Sequence, residues 1–545
     1  MVNRQSSFFG FIAAGAIALV LIAIAGFWFF SKTPVNIVTS TTSEPGAAIF
    51  VSKLSPVMVS LLTNPDRLQA LEREGEISKI KTSLLTKSGI EYQKDIQPWL
   101  GNEITLAVTT TDLDRDSANG QQPGYLMALA TTQQDKSREF VELLFSKRVL
   151  AGAKLDAEEY QGVKVFYDNQ LAAAVVGDGF VLFANNPSVV KDAINNVQAP
   201  DLNLTSSPQY QKALQQLPSA SLAVAFLNFP IIAQWQGLEL AEPTYDSQIV
   251  SLGLNSKGLL AETSFLTTSE LTPPTTPLTK PVEALKYIPA SAGLAISGAN
   301  LSNLGDSNLA KFWTQIKTAI SGSETDVISR LVQPLTEVQK TWGINFNQDV
   351  FSWVKGEYAI ALLPRTGQIL PDWIFVVEKT EEVPEGIAKL DAIASSKGLS
   401  SSTLSLDKQK ISAWTELTAK PTQIQDRPSF TLEAKAQGIH TTLENYEIFA
   451  SDLATMNQVL AAKEKSLLDE RNFQNSVAAI PQPNQGYVYL DWAKTQGVLE
   501  RQIPVLKLIE VLGKPFFTNL RSLTVSSYGS ETNALKGSIF LQLQE

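Results

Sequence analysis

Cysteine is absent from this 545-residue chain, and histidine occurs once, at His440. The first absence excludes disulfides and cysteine-based zinc or iron–sulfur sites. The second excludes a histidine-rich metal centre and leaves one residue to serve any Ser-His-Asp triad. No Gly-x-Ser-x-Gly elbow accompanies His440, which stands beside Thr441 and Thr442 in the first run of a predicted hairpin and reads as a structural or surface side chain. Basic residues are outnumbered: 44 Lys and Arg against 54 Asp and Glu give a net charge of −10. Non-specific affinity for phosphate backbones comes mainly from Lys and Arg displacing condensed counterions, so nucleic acid is disfavoured as a partner. Charge is sparse altogether, 18% against 44% hydrophobic residues, the composition of an ordered globular chain.

Charge is missing entirely from Phe8 to Phe30. As a helix this run spans about 34 Å, enough to cross a hydrocarbon core of roughly 30 Å. Phe27, Trp28, Phe29 and Phe30 lie at its outer end, just before Ser31 and Lys32, as an interfacial aromatic anchor does. Ala23-Ile24-Ala25 offers a signal-peptidase site as the alternative, but the apolar run continues past it and exceeds an ordinary signal h-region. The expectation is a transmembrane anchor over residues 1–32 with the bulk of the chain exported. A polar linker follows over 33–46, rich in Thr and Ser with Pro34 and Pro45.

Part of the remainder is written twice. The segment from Gly89 to Glu103, which contains Gln97-Pro-Trp99-Leu-Gly101, returns ungapped from Gly343 to Glu357 with Trp353 in the place of Trp99. A second block repeats Tyr210 as Phe473, Leu217-Pro218 as Ile480-Pro481, and Phe226-Leu-Asn-Phe229 as Tyr489-Leu-Asp-Trp492. A chain this long exceeds the size at which single cores stop growing, so the repetition predicts two related domains, over 47–268 and 283–545. Four prolines between Thr267 and Pro281 mark a stiff linker over 269–282.

Each repeat carries a mixed pattern. Ala47 to Leu61 is a strand candidate, Pro65 to Leu85 a charged helical stretch, and Asp135 to Phe145 an amphipathic helix with Phe140, Leu143 and Leu144 at helical spacing. Leu171 to Phe183 is two β-rich runs about Gly177-Asp178-Gly179, a hairpin turn; its counterpart is His440 to Ala450, turning at Glu444-Asn445. The Gly-x-Gly there is no dinucleotide fingerprint, since position 182 is Leu and the glycines divide two strands. Asn186-Pro187 opens a helix, and further hairpins close the repeats over Ile249–Leu266 and Leu523–Leu543. Thr415 to Lys435 is a polar insertion that reads as a surface loop. Strands joined by short turns, with helices interspersed, predict an α+β fold of largely antiparallel sheets covered by helices.

Two motifs invite chemistry. Trp-x-x-x-Glu occurs as Trp99 to Glu103 and as Trp353 to Glu357, and a carboxylate beside an indole can serve as a general acid. Glycine adjoins both, so the competing reading is a turn that opens a strand with the indole packed beneath it, and that structural reading is preferred. Asp112, Asp114 and Asp116 alternate as the oxygen ligands of calcium loops do, but Ser117 and Pro123 stand where an EF-hand has its Gly and its bidentate Glu. A solvated acidic loop is the expectation, with a weak calcium site as the alternative; no other cofactor is indicated.

Ala47-Ala48-Ile-Phe-Val, Pro56-Val-Met-Val-Ser-Leu, Asn64-Pro-Asp-Arg-Leu68, Gln97-Pro-Trp-Leu-Gly101, Asp112-Leu-Asp-Arg-Asp116 and Ala184-Asn-Asn-Pro187 resemble segments of cyanobacterial single-span membrane proteins, the family called domain of unknown function thirty-three fifty-two. The resemblance implies a bacterial envelope or thylakoid location and assigns no catalytic or binding residue. Together these readings predict a single-pass protein, tethered through residues 8–30, with its bulk in the periplasm or thylakoid lumen. There it would act as a non-enzymatic binding or scaffold protein for a protein partner or small ligand. A carrier of lipid or another apolar ligand is the alternative, and a hydrolase using Glu103 or Glu357 the second.

Overall fold

The computed structural model describes residues 44–63, 90–113, 122–218, 221–235, 245–255, 257–267, 277–302, 343–365, 371–406, 408–424, 427–502, 514–529 and 531–543. The apolar run 8–30, residues 33–43 of the polar linker and the helical stretch expected over Pro65–Leu85 lie outside these residues. Among the described residues no helix is long and apolar enough to cross a membrane.

The first half contributes strands β1 (Val57–Leu61), β2 (Leu100–Thr110), β3 (Gly124–Thr131), β4 (Asp156–Tyr160), β5 (Val163–Tyr167), β6 (Ala172–Val176), β7 (Phe180–Ala184), β8 (Ala223–Asn228), β9 (Ser247–Asn255) and β10 (Gly258–Leu266). The second contributes β11 (Leu294–Ala299), β12 (Glu357–Leu363), β13 (Asp372–Glu378), β14 (Ser400–Leu406), β15 (Gln409–Ile424), β16 (Arg427–Leu443), β17 (Tyr446–Ala450), β18 (Tyr487–Asp491), β19 (Leu520–Tyr528) and β20 (Ala534–Leu543). Every pairing between them is antiparallel, and together they form one sheet. Its order is β4-β5-β6-β7-β3-β2-β1-β8-β9-β10, then β20-β19-β18-β11-β12-β13-β17-β16-β15-β14. Read outward from the middle, the two halves have the same strand order.

The register carries the same relation. Val59, Ala225, Val250 and Thr263 form one ladder row in the first half; Ile296, Val488, Val525 and Ile539 form the equivalent row in the second. Across the seam Thr263 pairs with Gly537 and Ile539 with Ala261, so a local two-fold passes through the pair Glu262 and Ser538. The outer strands β4 and β14 are short, and residues such as Glu159 and Ser400 to Ser405 are exposed, which blunts both sheet edges.

Alternation along the strands assigns the cores. Met58, Ala107, Leu126 and Phe226 face the helices Pro187–Gln198 and Pro208–Leu214, which bury Val190, Ile194 and Tyr210. The first of these helices starts where Asn186 accepts the Ser188 N–H and Pro187 takes the first position. In the second half Met456 and Phe473, from the helices Leu453–Ala461 and Arg471–Ala479, do the same. On the opposite face Ala225, Leu252 and Leu259 pack with Val488, Val525 and Leu541 in one core that both halves share. β8 is therefore buried on both faces, which explains its unbroken apolar run Ala223-Val-Ala-Phe-Leu.

Three expectations are corrected. Only the end of Ala47–Leu61 is a strand; Gly46–Phe50 is a one-turn 3-10 helix. The linker's last residues are docked: Leu278 exchanges backbone hydrogen bonds with Asn484, and Val282 is buried. Thr415–Lys435 is no loop, because β15 and β16 continue pairing to Ile424 with Arg427 as a two-stranded arm, while β14 covers only Gln409–Thr415.

Candidate functional site

The Trp-x-x-x-Glu motif holds one construction in both halves. Glu103 accepts the N–H groups of Gly46 and Ala47, each at 2.9 Å, at the start of the 3-10 helix Gly46–Phe50. Glu357 accepts the Glu283 N–H at 2.7 Å, at the start of the 3-10 helix Glu283–Tyr287, and the Tyr446 hydroxyl at 3.0 Å. Burial, then the neighbouring Glu357, push the Tyr446 phenol upward. These carboxylates thus satisfy N–H groups that a helix start leaves without partners. The buried indoles of Trp99 and Trp353 each donate from Nε1 to a carbonyl four residues back, of Asp95 and of Asp349, at 2.8 Å. Asp95 and Asp349 in turn accept the N–H of Glu91 and of Asn345 and face Lys147 at 3.8 Å and Lys389 at 2.9 Å.

Of the acidic loop, Asp112 accepts the Gln122 N–H at 3.2 Å, closing the loop's base; Asp114 and Asp116 lie outside the described residues. Among the described residues no three His, Asp or Glu side chains are grouped to hold a metal ion.

What the second half does assemble is an apolar cavity of about 70 Å³. Its floor is a row of the sheet in which Ile360 pairs with Phe375 and Phe375 with Phe449, flanked by Trp373 and Trp414. Its roof is Leu390 of the helix Val383–Ser396 together with Ile344, Phe346, Val350 and Phe351 of the turn beside it. Every one of these ten lining residues is apolar. The Trp414 Nε1 is engaged by Asp391 at 2.7 Å. Lys389 ties helix to turn, donating to the Gln348 carbonyl at 3.0 Å and pairing with Asp349. Lys389, assisted by the Asn345 N–H, holds the Asp349 carboxyl below its ordinary range against the opposing effect of burial.

His440 continues the floor row on the same face of the sheet, paired with Phe449. Its ring stacks on Trp414 at 5.1 Å and on Phe449 at 5.4 Å, and Nδ1 lies 2.6 Å from Glu447, whose other oxygen accepts the Thr442 hydroxyl. The first half places a ring beside the equivalent strand. Phe183 pairs in β7 as Phe449 does in β17, and Phe140 lies against both it, at 6.3 Å, and Trp99, at 5.2 Å. In the second half Trp353 and Phe449 stand 6.4 Å apart, and Trp353 lies flat against Gly386, where a Cβ would come within 2.4 Å of the indole. Sequence reasoning missed the cavity. The alternation Trp373, Phe375 was a signal, but the strand pairings that bring Trp414 and Phe449 beside it were not readable.

An antiparallel sheet with helices on both faces defines an α+β protein. The chain belongs to the family described as "Protein of unknown function (DUF3352)", whose model matches residues 12–543. No curated protein matches it. Among solved structures, crystal form I of TP0453 aligns over 42% of this chain and 80% of its own at 10% identity, and crystal form III over 42% and 83% at 9%. The TM-score is 0.24 in both, too low to carry an argument about fold or function.

Proposed function

We propose that this is a membrane-tethered, extracytoplasmic, non-enzymatic binding protein whose second half takes an apolar ligand. The observation that carries the reading is the cavity: ten apolar side chains from the sheet, a helix and a turn line about 70 Å³ and present no polar surface to it. Ligand sites are concave and mostly apolar, whereas a close-packed core holds few voids larger than a water molecule. The charge-free run Phe8–Phe30 supports the tether, and a single span supports export of the rest. The shared strand order and the two-fold register support descent of both halves from one duplicated unit.

The scaffold reading draws on a separate feature, the two-stranded arm. Among the described residues Glu416–Ile424 pairs only with Arg427–Lys435, so roughly 30 Å of ribbon extends past the described sheet. The hydrolase reading draws less, since Glu103 and Glu357 are occupied by backbone N–H groups.

Photolabelling tests the ligand reading. The full chain in lipid nanodiscs is irradiated with a diazirine-tagged alkyl probe, and the labelled peptides are mapped by mass spectrometry. Label on the segments around Phe346–Phe351, Trp373, Leu390 and Trp414 is expected. Label confined to residues 8–30 would remove the proposal.

A further inference from the structure

We infer that the cavity selects a planar ring, aromatic or conjugated, carried at the end of a larger apolar molecule; this rests on the apolar-ligand reading above. Six of the ten lining side chains are aromatic. They are also ordered as plates: Phe346 and Phe351 stack at 5.7 Å with 12° between their planes, Trp414 and Phe449 at 6.3 Å with 15°, and Phe375 and Phe449 at 5.9 Å with 28°. An alkyl chain laid against these rings gains area burial alone. A flat ring gains offset stacking as well, and one well-made pair is equivalent to up to about tenfold in affinity.

Size sets how much of the ligand enters. A closed cavity that takes benzene measures roughly 150 Å³, about twice the 70 Å³ found here. One edge of a ring therefore fits inside, and the rest lies among Phe346, Phe351 and Trp373, which are half-buried and form the mouth. The cavity wall presents no polar surface to recognise a polar head, and the Trp414 N–H is held by Asp391. Any polar part of the molecule stays outside.

The experiment is competition against the photolabel, with the full chain in nanodiscs and two seven-carbon competitors, toluene and methylcyclohexane, each corrected for its partition into empty nanodiscs. Toluene is expected to protect the cavity peptides at about tenfold lower concentration. In the mouth variants Phe346→Leu and Phe351→Leu, which keep the site apolar, labelling should persist while that preference falls to about threefold or less. Equal protection by both competitors in the wild type overturns the ring inference and leaves the apolar-ligand reading standing. Cavity peptides that take no label at all overturn both.

Discussion

The Nζ of Lys389 lies 2.9 Å from Oδ1 of Asp349, joining the helix Val383–Ser396 to the turn that roofs the cavity. Asp349 is held below its ordinary range in the folded chain, so its contribution to stability is present above its unfolded value near 3.9 and is lost as pH falls through the folded value. Thermal unfolding followed from pH 7 to pH 3 should therefore show a steeper acid loss for wild type than for Asp349→Asn. At pH 7 Lys389→Met should cost no more than about 1 kcal/mol, since the lysine is half exposed. Parallel pH profiles for wild type and Asp349→Asn would show that the pair does not stabilise the fold.

Glu103 and Glu357 are capping groups in this structure, and truncation should act on stability. Glu103→Ala and Glu357→Ala are each expected to lower stability by about 1 kcal/mol, the usual cost of losing a side-chain cap. The Glu357 change should cost more, because it also strands the Tyr446 hydroxyl. Urea unfolding measures both, and unchanged midpoints would return these carboxylates to the list of candidate acids.

Tyr210 and Tyr489 sit on opposite partners of one ring pair. Tyr210 meets Phe226 edge-on at 5.1 Å, and Phe473 meets Tyr489 edge-on at 5.1 Å, so the hydroxyl is on the helix in one half and on the strand in the other. Neither hydroxyl has a hydrogen-bond partner among the described residues, and burial is the main reason both phenols are pushed upward. Removing a buried, unpaired hydroxyl relieves a desolvation cost of about 1–3 kcal/mol. Tyr210→Phe and Tyr489→Phe should be neutral to stabilising in urea titrations; a loss above about 1 kcal/mol would mean that each hydroxyl is bonded in solution.

Local chemistry was legible in the sequence. Asn186-Pro187 announced a helix start, Gly177-Asp178-Gly179 a hairpin, and the repeated Trp and Glu a shared turn, because each is decided by neighbours a few residues away. Long-range pairing left no such trace. Nothing near Glu262 announces Ser538 as its partner, and nothing near Trp414 announces Phe449. The arm was misread because its polar composition is that of a surface loop. Pro421 and Pro428 are tolerated there, since among the described residues neither strand of the arm has a second neighbour that needs their N–H.

The seam between β10 and β20 joins the halves, and Gly258 fixes how closely they meet. A Cβ at Gly258 would fall 2.1 Å from the Leu541 carbonyl oxygen, which is backbone and cannot turn aside. Gly258→Ala must therefore push the strands apart at one end of a ladder that runs to Leu266 with Ala534. Leu259 and Leu541, neighbours in that ladder, also belong to the core that both halves share, so the disturbance reaches it directly. The wild-type sheet should unfold in urea as one transition, coincident by tryptophan fluorescence and far-ultraviolet circular dichroism. Gly258→Ala should lower stability by about 2 kcal/mol or more and separate the two signals, because overpacking at a rigid contact costs about 1–3 kcal/mol before any loss of the shared core. Two separate transitions already in the wild type would mean that the halves fold independently, and that the seam contributes little to holding them together.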